Sequence, residues 1–450
     1  MGKKPAPLNE APGDAMHRSS MKLALGATLL VSSLLHSACS QEAEPEMLPS
    51  LVNPETATVS SQAPIHKGFI WNGLHRKWVP VSYAVVNGMA VFEGDMILGT
   101  AEEMVARTRK VEAQGGTAAG SVQAQGVAVE GGDSHWLGAV VPYTIDPALP
   151  NPSRVTDAIN EWTRSTTRVR YVLRTASNAG QYPDYVTFKV GTDPNSSSSS
   201  LGRVGGQQFV ELNSDCSVSC TIHEIGHTLS LLHEQSREDR DSFVRIIEEN
   251  IMYGYAHAFK KHPADSVDLG AYDFKSIMHY HKYAFSKDPV NALPTIEALN
   301  GESFGNSMYP SYGDTAAVNS LYSVDNSEFF LGQTYMDVLN RKADTYGFSN
   351  YLTALRSCNG NSTCLASTRA SIARELLESP ENRQQDPDLN PSSPNYNAAF
   401  ITHCFTNFLR RQPDAQGFNW WLNDLNAGGN YTAVVNGFIN SSEYRQRFNQ

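Results

Sequence analysis

A chain of 450 residues with 40% hydrophobic content is a globular protein too long for one ordinary core, so two or more domains are expected. Its formal net charge of −11 argues against nucleic acid or an anionic membrane surface as a partner, since either calls for a basic face.

The apolar run Leu23 to Leu35 follows Arg18 and Met21-Lys22, with Met16 or Met21 as the start, and small residues Ser37 and Ala38 precede Cys39. This reads as an export signal over 1–39, too short to span a bilayer as a stable helix. Leu35-His36-Ser37-Ala38-Cys39 is similar to a bacterial lipoprotein cleavage box with its usual leucine displaced by His36, so a lipid on Cys39 is the one route to membrane attachment. The chain is thus expected to leave a bacterial cell, either secreted or anchored to the envelope.

Export permits disulfides. Setting Cys39 aside, the close pairs Cys216/Cys220 and Cys358/Cys364 are the expected bridges, with Cys404 left over. As metal ligands, Cys216 and Cys220 would supply only half a zinc site.

Residues 40–64 are rich in Glu, Pro, Ser and Ala and read as a tether. Phe69-Ile70-Trp71 and Trp78-Val79-Pro80-Val81 then mark a short region that packs against something, and Phe92-Glu93-Gly94-Asp95 contains a common turn pair. Ala113 to Gly132 lacks periodicity and reads as an exposed, cleavable linker. Val169 to Leu173 and Tyr185 to Val190 read as strands, and Asn151-Pro152-Ser153 opens a helix with Val155, Ile159 and Trp162 on one face. The serine run Ser196 to Ser200 is expected to be a mobile loop.

Next comes His223-Glu224-Ile225-Gly226-His227. Two histidines four apart share one helical face and can converge on a metal, while Glu224 is placed to reach a water there. Alone, the pentapeptide is equally two surface histidines on an amphipathic helix. It is followed by His233-Glu234, by Ser236-Arg237-Glu238-Asp239-Arg240-Asp241, and by Ser276-Ile277-Met278-His279-Tyr280. As a group these resemble the astacin family of metzincin zinc endopeptidases.

The resemblance implies an α+β catalytic domain, a twisted mixed sheet plus an active-site helix, over 134–325. It implies one catalytic zinc ion on His223, His227 and His233, with Glu224 as general base and Tyr280 stabilising the oxyanion. Met278 becomes the apolar floor, or an ordinary core methionine. Glu234 is linked in the family to the mature amino terminus; read by itself it is a solvated helix-end carboxylate. Gln207 to Leu212 would be the edge strand that receives a peptide or protein substrate as an added antiparallel strand. Phe92 to Asp95 is similar to the family's propeptide switch, so 65–133 is expected to be propeptide and linker, with Asp95 on the zinc keeping a zymogen latent. Where the motif has glycine this chain has Ser230, which must take a left-handed backbone at a cost of about 1 kcal/mol and bears on where His233 lands.

From 326 a smaller all-α domain is expected, with its own core and an internal repeat. Leu339, Arg341, Asp344, Gly347, Phe348 and Leu352 recur at Leu409, Arg411, Asp414, Gly417, Phe418 and Leu422, an offset of 409 − 339 = 70. The units cover about 328–383 and 398–448 and resemble a helical domain of bacterial exported proteins. Asp344 and Asp414 are expected to cap helices rather than to act as ligands, and Trp420 and Trp421 to pack in the core rather than to bind a carbohydrate or a partner. The competing reading is a surface binding or adhesion protein whose metal site is vestigial. It has no use for Glu224 and Tyr280.

Overall fold

The computed structural model describes residues 64–72, 77–113, 135–166, 168–194, 196–261, 268–288, 290–291 and 293–450. The expected export signal, Cys39 and nearly all of the expected tether and linker lie outside them.

Alternating apolar residues make the segment before the linker an antiparallel meander. β1 (His66–Asn72), β2 (Lys77–Val86), β3 (Met89–Phe92) and β4 (Met96–Thr100) pair in succession, and α1 (Ala101–Ala113) follows. Ile70, Val79, Tyr83, Phe92, Met96 and Met104 form a small core between meander and helix.

β5 (Val140–Ile145), α2 (Ser153–Ser165), β6 (Arg170–Leu173), β7 (Tyr185–Val190), β8 (Ser198–Ser200) and β9 (Gln207–Leu212) complete one nine-stranded sheet, in the order β1-β2-β3-β4-β8-β9-β7-β5-β6. β6, β5, β7 and β9 run parallel, whereas β8 is antiparallel to β9. Val155, Ile159 and Trp162 bury the predicted face of α2. The Trp162 indole donates to the Ile222 carbonyl of α3 (Val218–Thr228) at 2.9 Å.

Two expectations are corrected here. Gln207 to Leu212 is an inner strand, paired on both sides, and the serine run is not a loop but a short strand, the last of the sheet on the far side of the linker from β4. Ser199 and Ser200 are buried because their small side chains let β8 lie close under α3, and pairing with β9 and β4 satisfies its backbone. The run carries no apolar pattern, so nothing local marks it as a strand. β4 covers its free edge in the parallel sense, Met96 opposite Ser199 and Ile97 opposite Ser200.

β10 (Val244–Ile246) and β11 (Ile296–Ala298) form a second, two-stranded sheet before α4 (Tyr312–Leu321). The rest is helical: α5 (Ser327–Leu339), α6 (Thr345–Arg356), α7 (Ser362–Leu377), α8 (Pro380–Arg383), α9 (Tyr396–His403), α10 (Ala415–Asn426), α11 (Tyr431–Ile439) and α12 (Ser442–Gln446). Asp344 and Asp414 cap α6 and α10, each accepting the N–H of the glycine three residues on at 2.8 Å. The repeat also keeps an ion pair: Arg341 grips Glu381 and Arg411 grips Glu443, both bidentately. Bridges join Cys216 to Cys220 and Cys358 to Cys364, and Cys404 is free and buried. Trp421 packs on Phe438, but Trp420 is 62% exposed, contrary to expectation, because it lies on the outer face of α10.

The helical region does not keep a core to itself. One continuous apolar cluster runs from Trp136, Val155 and Ile225 through Val318, Tyr322 and Val324 to Phe329, Phe330, Phe400 and Phe448. Most of α5 is buried, and the Gln333 side-chain oxygen accepts the Gly138 N–H at 2.7 Å. No described helix is long and apolar enough to cross a membrane.

Candidate active site

β9 delivers the chain to α3. The Ser217 hydroxyl accepts the Cys220 N–H at 3.2 Å, and the Cys216 to Cys220 bridge clips the same first turn. Ile222 and Ile225 bury one face of the helix, while His223, Glu224 and His227 present another. Gly226 is required by packing: a Cβ there would stand 2.5 Å from the Met278 sulfur, so glycine lets Met278 lie against the helix below the histidines.

The helix stops at Ser230. Ser230 N–H reaches the His227 carbonyl at 2.9 Å and Leu231 N–H the Gly226 carbonyl at 3.1 Å, with Ser230 at φ +76°. This is the paired-bond C-terminal cap that glycine ordinarily serves. Further bonds brace the turn: Trp136 Nε1 donates to the Thr228 carbonyl at 2.8 Å, and Gly202 N–H is a second donor to the His227 carbonyl at 2.8 Å. His233 therefore reaches the cluster despite the substitution.

The three imidazoles share one tautomer. Nδ1 of His223 donates to the Ile277 carbonyl (2.8 Å), that of His227 to the Leu231 carbonyl (2.8 Å), and that of His233 to the Glu93 carboxylate (2.9 Å). All three Nε2 lone pairs are thereby left for a metal. Asp95 joins them from the turn between β3 and β4. Its oxygens stand 3.1 Å from His233 Nε2, 3.5 Å from His223 Nε2 and 3.6 Å from His227 Nε2. His223 and His233 Nε2 are 3.3 Å apart. Four ligands at 2.0–2.1 Å from a tetrahedral centre stand about 3.3 Å from one another, so the set has the size of a zinc site. His227 Nε2 and Asp95 Oδ1 are buried with no hydrogen-bond partner, as donors awaiting an ion would be.

A profile of the astacin family of peptidases matches residues 128–323. The zinc metalloproteinase nas-14 of Caenorhabditis elegans is 39% identical over 197 residues, 42% of this chain and 37% of that protein. The nas-6 zinc metalloproteinase of the same organism is 34% identical over 192 residues, 42% of this chain and 54% of that protein. The chain thus spans only about a third to a half of these relatives' length. The solved structure of high choriolytic enzyme 1, a hatching-enzyme zinc protease of Oryzias latipes, is 32% identical, covering 40% of this chain and 87% of that one with a TM-score of 0.36. Residues 128–323 belong to the astacin family. The chain accordingly carries a zinc metallopeptidase domain, and its His223, His227 and His233 suit the metal that family uses. Residues 392–448 match a domain of unknown function, DUF4214, which overlaps the second repeat unit.

Around the astacin histidines, Glu224 is 3% exposed, and its Oε2 is buried with no hydrogen-bond partner. Burial, and next the Asp95 charge, push its pKa well up. Tyr280 lies at ring distance 4.3 Å from His233, with its hydroxyl on the Glu93 carbonyl. Glu234 is not a solvated carboxylate: it accepts the Asp273 N–H at 2.7 Å, and burial raises its pKa to about 8.

Sequence reasoning passed over three supports of the site. Buried Asp314 accepts Ser276 Oγ (2.6 Å) and Ile277 N–H (2.9 Å), shaping the Met278 turn. The signal was present, since Ser311-x-x-Asp314 forms a capping box at the start of α4. Gln235 accepts the Tyr280 N–H at 2.9 Å, and Glu93 meets His233; neither belongs to any spacing pattern.

His279, on the same turn, is held neutral. Nδ1–H donates to the Tyr280 carbonyl and Nε2 accepts from the Tyr272 hydroxyl, both at 2.7 Å, and burial lowers its pKa to about 4. In the unfolded chain it protonates near 6.5, so lowering pH from about 6.5 towards 4 favours unfolding, by up to about 3 kcal/mol from this group. Urea midpoints of the full chain should fall over that window, and His279→Gln should flatten the fall. An unchanged slope in that variant would show that His279 is not buried neutral.

Proposed function

We propose that this protein is an exported zinc endopeptidase made as a latent zymogen, with one catalytic ion and protein or peptide substrates. The observation that carries the reading is the convergence of Asp95, from the segment before the linker, with the three astacin histidines beside Glu224, whose Oε2 has no hydrogen-bond partner.

When bound, zinc supplies Lewis acidity that lowers the pKa of water and polarises a carbonyl. The chain's own residues do the rest. Glu224 takes the proton of the attacking water and returns it to the leaving amine. Tyr280, freed from the Glu93 carbonyl, donates to the developing oxyanion. The backbone of β8, released from β4, offers its edge to an antiparallel substrate strand. The signal over 1–39 supports export, with Cys39 as the point of lipid attachment if the product is anchored.

Latency gives the test. Uncut wild type should be inactive on a small fluorogenic peptide, and cutting between Arg107 and Ser134 should release activity. Asp95→Ala should raise the activity of the uncut chain by at least about tenfold, since a carboxylate is a good zinc ligand that occupies the position water needs. Intact mass must show both samples uncut. Equal activity in the two, with the wild type already fully active, would reduce Asp95 to a turn residue.

A further inference from the structure

The turn between β3 and β4 places two carboxylates at the site. Glu93 is fully buried with a left-handed backbone, φ +50°, followed by Gly94 at +91°. A non-glycine residue adopts that conformation at some cost, and a buried carboxylate needs partners. Oε2 lies 2.9 Å from His233 Nδ1, Oε1 accepts the Ser236 hydroxyl at 2.7 Å, and the Glu93 carbonyl accepts the Tyr280 hydroxyl. One propeptide residue therefore touches a metal-binding histidine from behind and the tyrosine beside it. Gly94 is indispensable to this approach, because a Cβ there would stand 2.6 Å from the Phe285 ring.

Among the described residues, the contacts behind the three histidines are unequal. His223 and His227 donate Nδ1–H to backbone carbonyls of the catalytic domain itself, at Ile277 and Leu231. Those partners stay when the propeptide goes. His233 alone donates to a carboxylate, and that carboxylate leaves with the propeptide. A carboxylate on the far nitrogen fixes the ring and makes the near nitrogen a stronger metal donor.

We infer that Glu93 is a second latch, acting beside Asp95: it positions His233 through Nδ1 and holds the Tyr280 hydroxyl, so that the uncut chain binds zinc more tightly than the mature domain and cannot use Tyr280. Glu93 is a positioning residue, since it touches neither metal nor substrate. The inference rests on the zymogen reading for its comparison of uncut and mature chains, and on the peptidase reading for its activity arm.

The test uses the full chain as wild type, Glu93→Gln and Glu93→Ala, each shown uncut by intact mass. Zinc affinity is measured by competition with a chromogenic chelator. Glu93→Ala should weaken zinc binding to the uncut chain about 10–100-fold, the range for losing such a partner. Glu93→Gln, which keeps a neutral acceptor of the same shape, should fall between it and wild type and covers the case in which the alanine variant does not fold. At saturating zinc, the uncut alanine variant should stay as inactive on a small peptide as uncut wild type, because the Glu93 carbonyl that holds Tyr280 is main chain and Asp95 remains at the histidines. After cutting and removal of the propeptide all three chains are identical, so their zinc affinities should converge on one lower value. Wild-type affinity in both uncut variants, or a difference that outlasts removal of the propeptide, would overturn the inference. If no form hydrolyses peptide, the peptidase reading fails, while the zinc measurements still decide the role of Glu93.

Discussion

Glu224→Gln is expected to retain zinc and fold and to lose two to four orders of magnitude in turnover after activation. The side chain is buried at the cluster, and glutamine fills the same volume, so neither packing nor the Nε2 donors of His223, His227 and His233 are disturbed. What disappears is the ability to accept the water's proton and deliver it to the departing amine, a loss worth about 3–5 kcal/mol of barrier. Activated wild type and variant would be compared by kcat/KM on one peptide, with metal content and thermal melts recorded for both. Near-normal hydrolysis with zinc bound would remove Glu224 from the mechanism and return the metal site to a binding role.

Deleting 326–450 is expected to destabilise the astacin domain, contrary to what the helical periodicity of that region suggests by itself. An independent core would let it be cut away cleanly, but the apolar cluster is shared across the proposed boundary. Tyr322 packs edge-on to Phe329 at 5.9 Å, and Gln450 bonds to the Val324 N–H and the Tyr322 carbonyl. Asp337 of α5, fully buried, is held by Arg410 and Arg447 from the second repeat. The truncation would expose several large apolar side chains, each worth about 1.5–3 kcal/mol when buried, against a total stability of about 5–15 kcal/mol. A marked fall in melting temperature, or insolubility, is the expected result. A truncated chain melting within a few degrees of the intact one would mean that the shared cluster contributes little and that the two regions fold separately.

The two regions also differ in how their detail could be read beforehand. In the helical region the decisive contacts are local. Asp344 and Asp414 bond to N–H groups three residues away, and the cysteine pairs lie four and six apart. The same residues at an offset of 70 announced two copies of one unit. In the catalytic region the convergence of His223 and His227 follows from helical pitch alone. The positions of Tyr280 and Asp95 came only through resemblance to a family.

By itself the sequence determined the helix of His223 and His227, its companion glutamate and both disulfides, because each is written in spacings that one or two turns of backbone convert directly into geometry, and it determined the repeat through residues recurring at a fixed offset; the left-handed stop at Ser230 came through the family resemblance. The tertiary structure decided what no spacing encodes. It made a serine run a strand by flanking it with β4 and β9, set α5 against Gly138, and brought Glu93 to His233 across 140 residues of chain. Such contacts arise when sheets extend and apolar surfaces merge, and those events depend on what the rest of the chain buries; a Glu in a turn or a row of serines carries no local mark of them.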